Sequence, residues 1–361
     1  MSELAIKNNR FRINRILVQD KVPVFLWFLF FLVMWYMASR CETLEAFDLH
    51  RYYEDAISTQ NDSLRGIIED NRSRAGDFIY FVVLHWALKL GIPLNLVTGL
   101  IVTISFATII SCMREIYRGK MEWYVLYGVL FLAPISWIIE IARNMMAFMF
   151  IFISIKQYYK RRWILAVVFS ILGVLTHFSS LMYVAVLLLC VFIQKLRINK
   201  YLVCIIIAGF LTASYLMPSY LLDLLSIVLS GGDTVFSTQY GAMDSKGITT
   251  WTDVGTADIV AVVFSLVYSI ILLVKNKIQG YEFWSLLVVT AMLSFFLSSS
   301  QMLTNRCMMI MPMLWGLNVA RIYQTSIKKD ISVLKIVSVF CVVLALWHLF
   351  SYRDMYFPLF F

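Results

Sequence analysis

Long apolar runs separated by short polar segments constrain the fold of this chain more than any other feature. The runs at 22–39, 201–217 and 259–274 have about the length that crosses roughly 30 Å of hydrocarbon as an α-helix. None alternates polar and apolar residues as a transmembrane barrel does. With 61% hydrophobic and only 15% charged residues over 361 positions, the chain is also too apolar for soluble domains. The sequence therefore predicts an all-α, polytopic integral membrane protein.

The basic residues between the runs predict the topology. The N-terminal tail and five further segments, which recur at every second loop along the chain, carry 21 of the 31 lysines and arginines. Such a bias is expected of cytoplasmic segments. We expect an uncleaved first span, because its apolar run is longer than an ordinary signal peptide's. The spans are predicted at 22–39, 94–112, 123–139, 145–158, 163–177, 178–193, 201–217, 258–274, 281–298, 306–322 and 333–350. The prediction is thus about 11 transmembrane helices in one membrane domain, 1–361, with a cytoplasmic N-terminus.

One segment does not fit a simple alternation. Two full crossings between 76 and 112 would move the basic residues at 114, 118 and 120 to the outer side. We therefore expect a re-entrant or half-depth helix over Asp77 to Leu90. Such segments are tolerated where protein or water satisfies the backbone, so a cavity on the outer side is expected with it.

Two long loops are predicted on the outer side, at 40–75 and 218–257. The charge spacing of the first predicts amphipathic helices on the membrane surface, and the glycines of the second predict a lid. The ten basic residues left outside are eight arginines and two lysines, whereas lysine leads among the cytoplasmic ones. Because a guanidinium binds two phosphate oxygens at once, this bias favours a phosphate ligand. Chance, together with salt bridges to loop carboxylates, is the alternative.

Arg143 is the charged residue that most needs an explanation. Its guanidinium cannot lose its proton, so beside lipid it requires an anionic partner or a water-filled cavity. Glu140 lies three positions earlier and would meet it on a helix, either in a site or as a structural ion pair. Arg306 also lies at a span end, where snorkelling to the interface is the alternative to a role in binding.

Two further segments carry candidate chemistry. Asp48-Leu-His-Arg-Tyr-Tyr53 follows the first span and is either a contact for sugar or phosphate with a possible base, or a belt of tyrosines at headgroup depth. His177 is predicted at the outer end of a short hairpin, where it could exchange a proton or donate to a phosphate. The alternative is a hydrogen bond to a neighbouring carbonyl or serine. His85 is expected to have its hydrogen bonds satisfied within the helices.

Several classes of function are disfavoured by what the sequence lacks. The six cysteines show no zinc-like spacing, and no nucleotide-binding, hydrolase or metalloprotease motif is present. The formal charge of +9 comes from loops between spans, so it does not indicate nucleic acid. No cofactor is expected.

Taken together, the polar motifs resemble those of the EpsG/Wzy-type family of polysaccharide polymerases. The order and spacing match over 45–185, and the rest of the chain matches loosely, through Arg306. The motifs are Asp48, Arg51, Tyr52 and Tyr53; Gly76-Asp-Phe78; Ala142-Arg-Asn-Met-Met-Ala147; and Thr176-His-Phe-Ser179.

The resemblance implies a GT-C-like membrane enzyme of the bacterial cytoplasmic membrane that transfers a growing glycan from an undecaprenyl diphosphate carrier onto a lipid-linked repeat unit. Its partners would be that lipid-linked oligosaccharide, membrane lipids and, as a candidate, a chain-length regulator. Arginines would take the place of a metal. A flippase or transporter is the alternative, although the charges cluster on one face and no inverted repeat is visible. The implied catalytic residues are Asp48, Arg143, His177 and Glu140, and the implied substrate-binding residues are Arg51, Tyr52, Tyr53, Asp77, Asn144, Ser180 and Arg306.

Overall fold

A computed structural model describes residues 24–43, 48–73, 78–117 and 142–177, and positions 180, 181, 183, 184, 188 and 202. Its regular structure in these ranges is entirely α-helical. The helices are α1 (Val24–Glu42), α2 (Asp48–Ser58), α3 (Leu64–Ser73), α4 (Phe78–Lys89), α5 (Leu94–Tyr117), α6 (Ala142–Tyr159) and α7 (Trp163–Thr176). The predicted all-α fold class is confirmed for the described part of the chain.

Helices α1 and α5 pack antiparallel along their lengths. The rings of Phe30 and Phe106 stack with their centroids 5.0 Å apart. At Gly99, a Cβ atom would lie 3.0 Å from the backbone of Trp35, so the two helices approach as closely as only glycine allows. Both helices are long and apolar enough to cross a membrane.

Helices α6 and α7 form an antiparallel hairpin. The Ser154 hydroxyl donates to the carbonyl oxygen of Ala166 at 2.7 Å and shares a hydrogen bond with the Ser170 hydroxyl. Gly173 faces Ile151 so closely that a Cβ atom there would lie 2.9 Å from its Cδ1. Hydroxyls and small residues are the groups that hold helices together where the surroundings are as apolar as the side chains.

The turn between α6 and α7 lies next to the end of α5. Glu115, in the last turn of α5, pairs with Lys156 at 2.8 Å and with Lys160 at 2.5 Å. We call this end of the bundle, where Tyr117 and the α6–α7 turn lie, the turn end. The sequence predicts the basic residues around 114–120 and 156–162 on one side of the membrane, and in the structure Glu115 of the first segment pairs with two lysines of the second.

Helices α2, α3 and α4 lie at the other end, which we call the α2 end. Here α1 finishes, α5 and α6 begin, and α7 finishes. Four residues of α2 at helical spacing, Leu49, Tyr52, Tyr53 and Ala56, are buried, while Arg51 and Glu54 between them are exposed. This one-sided burial is that of an amphipathic helix lying on the bundle. Helix α4 contacts α2, α3, α5 and α7, so it forms the centre of the α2 end.

The predicted boundaries can be compared directly with the helices. The spans predicted at 22–39, 94–112, 145–158 and 163–177 correspond to α1, α5, α6 and α7. The amphipathic helices expected within 40–75 correspond to α2 and α3. The segment expected to be too short to cross is α4, whose 12 residues extend about 18 Å, well below the roughly 30 Å of a bilayer core. Its depth in the membrane stays a prediction. The spans predicted at 123–139 and beyond 177, and the loop at 218–257, lie outside the described residues.

Candidate active site

The side chain of Arg143 rests on Tyr52 at the α2 end. Its Nη2 donates a hydrogen bond to the Tyr52 hydroxyl oxygen at 3.1 Å, and its Cζ lies 4.6 Å from the centroid of the tyrosine ring. The two residues are 91 positions apart in the chain. A guanidinium held over an aromatic face is stabilised by the ring's negative potential, and more so when it is partly removed from water, as this one is.

Tyr52 is itself fixed by two aromatic side chains of α4. The rings of Tyr80 and Phe81 meet it edge to face, with centroid distances of 6.0 and 5.9 Å. Tyr52 is 5% exposed, Phe81 6% and Tyr80 fully buried. Edge-to-face contacts of this kind add to the hydrophobic stabilisation and define the tilt of each ring. The belt interpretation of the tyrosines is therefore disfavoured, because Tyr52 and Tyr53 are buried in protein.

A second guanidinium lies on the same tyrosine. The Cζ of Arg51 is 5.5 Å from the Tyr52 ring centroid, and Arg51 is exposed. The guanidinium groups of Arg51 and Arg143 thus lie on one buried tyrosine ring at the α2 end. Guanidinium forks suit an anion with several oxygens.

Tyr53 points away from these arginines. Its hydroxyl donates to the Thr98 hydroxyl at 2.8 Å in the buried contact between α2 and α5. Burial raises the pKa of Tyr53, and so the phenol stays protonated and keeps this hydrogen bond. We interpret Tyr53 as the residue that anchors α2 on α5.

Three other predicted site residues share the α2 end. Asn144 follows Arg143 in the first turn of α6, and His177 follows the last turn of α7; they are 6% and 3% exposed. Ser180 is also buried, and its backbone N–H donates to the His177 carbonyl at 2.9 Å. Within the part of the chain that the structure describes, neither Asn144 Oδ1 nor the Ser180 hydroxyl has a hydrogen-bond partner. Buried polar atoms of this kind are normally satisfied, so these two are suited to bind a ligand or water.

Other contacts at this end were not predicted from the sequence. The Asn95 side chain donates to Glu42 Oε2 at 2.9 Å and accepts from the Trp35 indole at 3.2 Å, which ties the end of α1 to the start of α5. His50 contacts the Glu42 carbonyl oxygen at 2.6 Å and thereby links α2 to α1. No pattern in the sequence indicates these pairings, because each joins residues on different helices.

The structure leaves part of the predicted site undescribed. Asp48 is the first residue of α2, one turn before Tyr52, but its side chain is outside the described set. Asp77, Glu140 and Arg306 also lie outside the described residues, so their roles stay predictions. Among the residues in helices α1–α7 and the positions beside them, no group of three or more His, Cys, Asp or Glu side chains is placed to hold a metal ion.

No curated protein and no solved structure matches the chain. A family model, that of the EpsG family, matches residues 24–361, which includes every described helix. The resemblance carried by the motifs around Tyr52, Arg143 and His177 is thereby confirmed over nearly the whole length. The chain is a member of the EpsG family.

Proposed function

We propose that the chain polymerises oligosaccharide repeat units carried on undecaprenyl diphosphate, at the outer face of the bacterial cytoplasmic membrane. Membership of the EpsG family supports a role as a polysaccharide polymerase. The observation that carries the proposal further is the pair of guanidinium groups of Arg51 and Arg143 on the buried ring of Tyr52. The product would be an O-antigen, a capsular polysaccharide or an exopolysaccharide.

The two arginines suit the leaving group of this reaction. In the proposed step, an acceptor hydroxyl oxygen bonds to the anomeric carbon of the growing glycan. The bond from that carbon to the carrier phosphate breaks, and the lipid diphosphate leaves with the electron pair. Guanidinium groups fixed in place before the reaction stabilise the charge that develops on the diphosphate, and they do so without a metal.

A base has to take the proton of the acceptor hydroxyl. Asp48, His177 and Glu140 are the candidates, in that order. His177 is buried at the same end of the bundle as Arg143, and Asp48 begins the helix that carries Tyr52. Asn144 and Ser180 are candidates for sugar hydroxyls because their buried oxygens lack partners among the described residues. Asp77 and Arg306 are proposed as further substrate contacts.

The proposed orientation follows from charge. The turn end carries Lys156, Lys160, Arg161 and Arg162, and basic residues of this kind remain on the cytoplasmic side. The α2 end, with Arg143 and Tyr52, then faces outward, where newly translocated repeat units arrive. We further propose about eleven crossings with a GT-C-like arrangement, and a chain-length regulator as a partner.

Surface glycan in a deletion strain tests the function. Loss of polymerase activity predicts single repeat units on the surface and no ladder of longer chains, with the ladder restored by the wild-type gene. Total loss of surface glycan would instead indicate a flippase, and an unchanged ladder would refute both functions.

A further inference from the structure

We propose that Tyr52 is a positioning residue: it acts on the substrate through Arg143, and α4 provides the aromatic support that makes this possible. The inference rests on the proposed function. By the family resemblance alone, Tyr52 is a substrate-binding residue. The structure instead places its hydroxyl 3.1 Å from Arg143 Nη2 and leaves only 5% of the residue exposed.

The geometry explains how a tyrosine can hold an arginine in one orientation. The hydrogen bond fixes one edge of the guanidinium, and the ring face, 4.6 Å from Cζ, fixes its plane. A guanidinium has five N–H donors in a rigid fork. With one edge and the plane held by Tyr52, the direction in which the other donors of the fork point is set in advance.

Helix α4 keeps the tyrosine from moving. Tyr80 and Phe81 pack against it with interplanar angles of 73° and 87°, and their own ring centroids are 5.9 Å apart. Rotation of Tyr52 about its side-chain bonds would drive its ring into one of these two buried neighbours. This gives a reason for a helix too short to cross the membrane: it brings two aromatic rings under the residue that orients Arg143.

Such positioning has a kinetic signature. If Tyr52 only orients Arg143 toward charge that develops in the transition state, removal of its hydroxyl lowers kcat and leaves the KM for lipid-linked substrate nearly unchanged. The loss of one charge-assisted hydrogen bond corresponds to a roughly tenfold to hundredfold fall in kcat. A tyrosine that binds a sugar directly would raise KM instead.

A double-mutant cycle in reconstituted protein tests the inference. The purified full chain in liposomes is given synthetic diphosphate-lipid-linked repeat units, and polymer formation is measured for Tyr52→Phe, Arg143→Lys and the double variant. We expect the double variant to be no slower than Arg143→Lys alone, because the hydroxyl has no guanidinium left to orient. Losses that multiply would overturn the inference.

The kinetics of Tyr52→Phe by itself, together with two further variants, make the test independent of residual activity in Arg143→Lys. For Tyr52→Phe alone, a fall in kcat at constant KM supports positioning, and a rise in KM at constant kcat refutes it. Phe81→Leu, which keeps the hydroxyl but loosens its support, is expected to lower kcat in the same way by a smaller factor. Tyr36→Phe, at a tyrosine that is 50% exposed on α1, is the matched control and should behave as wild type.

Failure of this inference can be told apart from failure of the proposed function. If the wild-type chain makes no polymer from these substrates, the function is wrong. If it makes polymer and Arg143→Lys is fully active, the assignment of Arg143 is wrong, and Tyr52 cannot act through it. If Arg143→Lys is impaired and Tyr52→Phe is fully active, only the positioning role is wrong.

Discussion

Replacement of Gly99 by alanine should separate two helices whose contact indirectly supports the candidate active site. A Cβ atom at position 99 would lie 3.0 Å from both the Cα and the N of Trp35. These are backbone atoms, so relief requires α1 and α5 to move apart by a few tenths of an ångström. Thr98, the neighbouring residue, anchors Tyr53, and α2 carries both Tyr53 and Tyr52. The substitution is therefore expected to affect both stability and polymer formation.

The size of the effect can be isolated with a matched glycine. Overpacking a close contact costs about 1–3 kcal/mol, whereas alanine gains up to about 1 kcal/mol over glycine in helix propensity. At Gly66 on α3, a Cβ atom would be at least 3.5 Å from its nearest neighbours, so Gly66→Ala carries the propensity gain alone. We expect Gly99→Ala to be about 1–3 kcal/mol less stable than Gly66→Ala, because the propensity terms cancel.

Equilibrium unfolding in mixed detergent micelles measures this difference, and polymer formation in liposomes measures its consequence. Gly66→Ala should keep wild-type activity. If Gly99→Ala proves as stable as Gly66→Ala and fully active, the close packing of α1 on α5 does not support the site in the way inferred from the contact at Trp35.

Three other predictions concern named polar contacts. Arg143→Lys should lower turnover roughly tenfold to hundredfold in the liposome assay, because one ammonium cannot span the tyrosine and two phosphate oxygens. Arg162→Lys, at the exposed turn, should have no effect. Equal activity of the two variants would contradict the role proposed for Arg143. Burial raises the pKa of Glu115, but hydrogen bonds from its two lysine partners outweigh burial and lower the pKa overall. This carboxylate therefore stabilises the fold above about pH 4.5 and ceases to do so as the pH falls through the lowered pKa. Unfolding measured against pH should lose that acid-side dependence in Glu115→Gln, and an unchanged profile would refute the pairing. Tyr53→Phe should lower the free energy of unfolding by about 1–3 kcal/mol, because the buried Thr98 hydroxyl loses the Tyr53 hydroxyl as its donor. Addition of Thr98→Val should recover part of this loss. A double variant less stable than Tyr53→Phe would argue against the contact.

The helices were predictable where their residues follow a simple physical rule. Apolar runs bounded by charged residues predicted α1 and α5, and the basic residues at 160–162 predicted the turn between α6 and α7. The shortness of α4 followed from the conflict between two crossings and the positive charge that comes after them. These predictions use local composition alone, because the thickness of the membrane fixes how long an apolar helix must be to cross it.

The contacts within the site were less predictable. Arg143 could be identified from the sequence because a charge beside lipid is costly, but Tyr80 and Phe81 read only as apolar residues of a short helix. Their role depends on the three-dimensional approach of α4 to α2. The expectation for His85 was wrong: it is buried, and in the described part of the structure neither ring nitrogen has a hydrogen-bond partner. A single sequence does not reveal which helix faces such a residue.

The side of the membrane on which the α2 end lies is the most direct test of the account, because the proposed function requires the lipid diphosphate to leave at the outer face. Gln60→Cys, in the exposed turn between α2 and α3, and Arg162→Cys, in the exposed turn between α6 and α7, can be treated in intact cells with a membrane-impermeant thiol reagent. Cells with the unaltered chain give the background from its own six cysteines. We expect position 60 to react in intact cells and position 162 to react only after permeabilisation. The opposite pattern would place Arg143 and Tyr52 on the cytoplasmic side and contradict the proposed polymerase site.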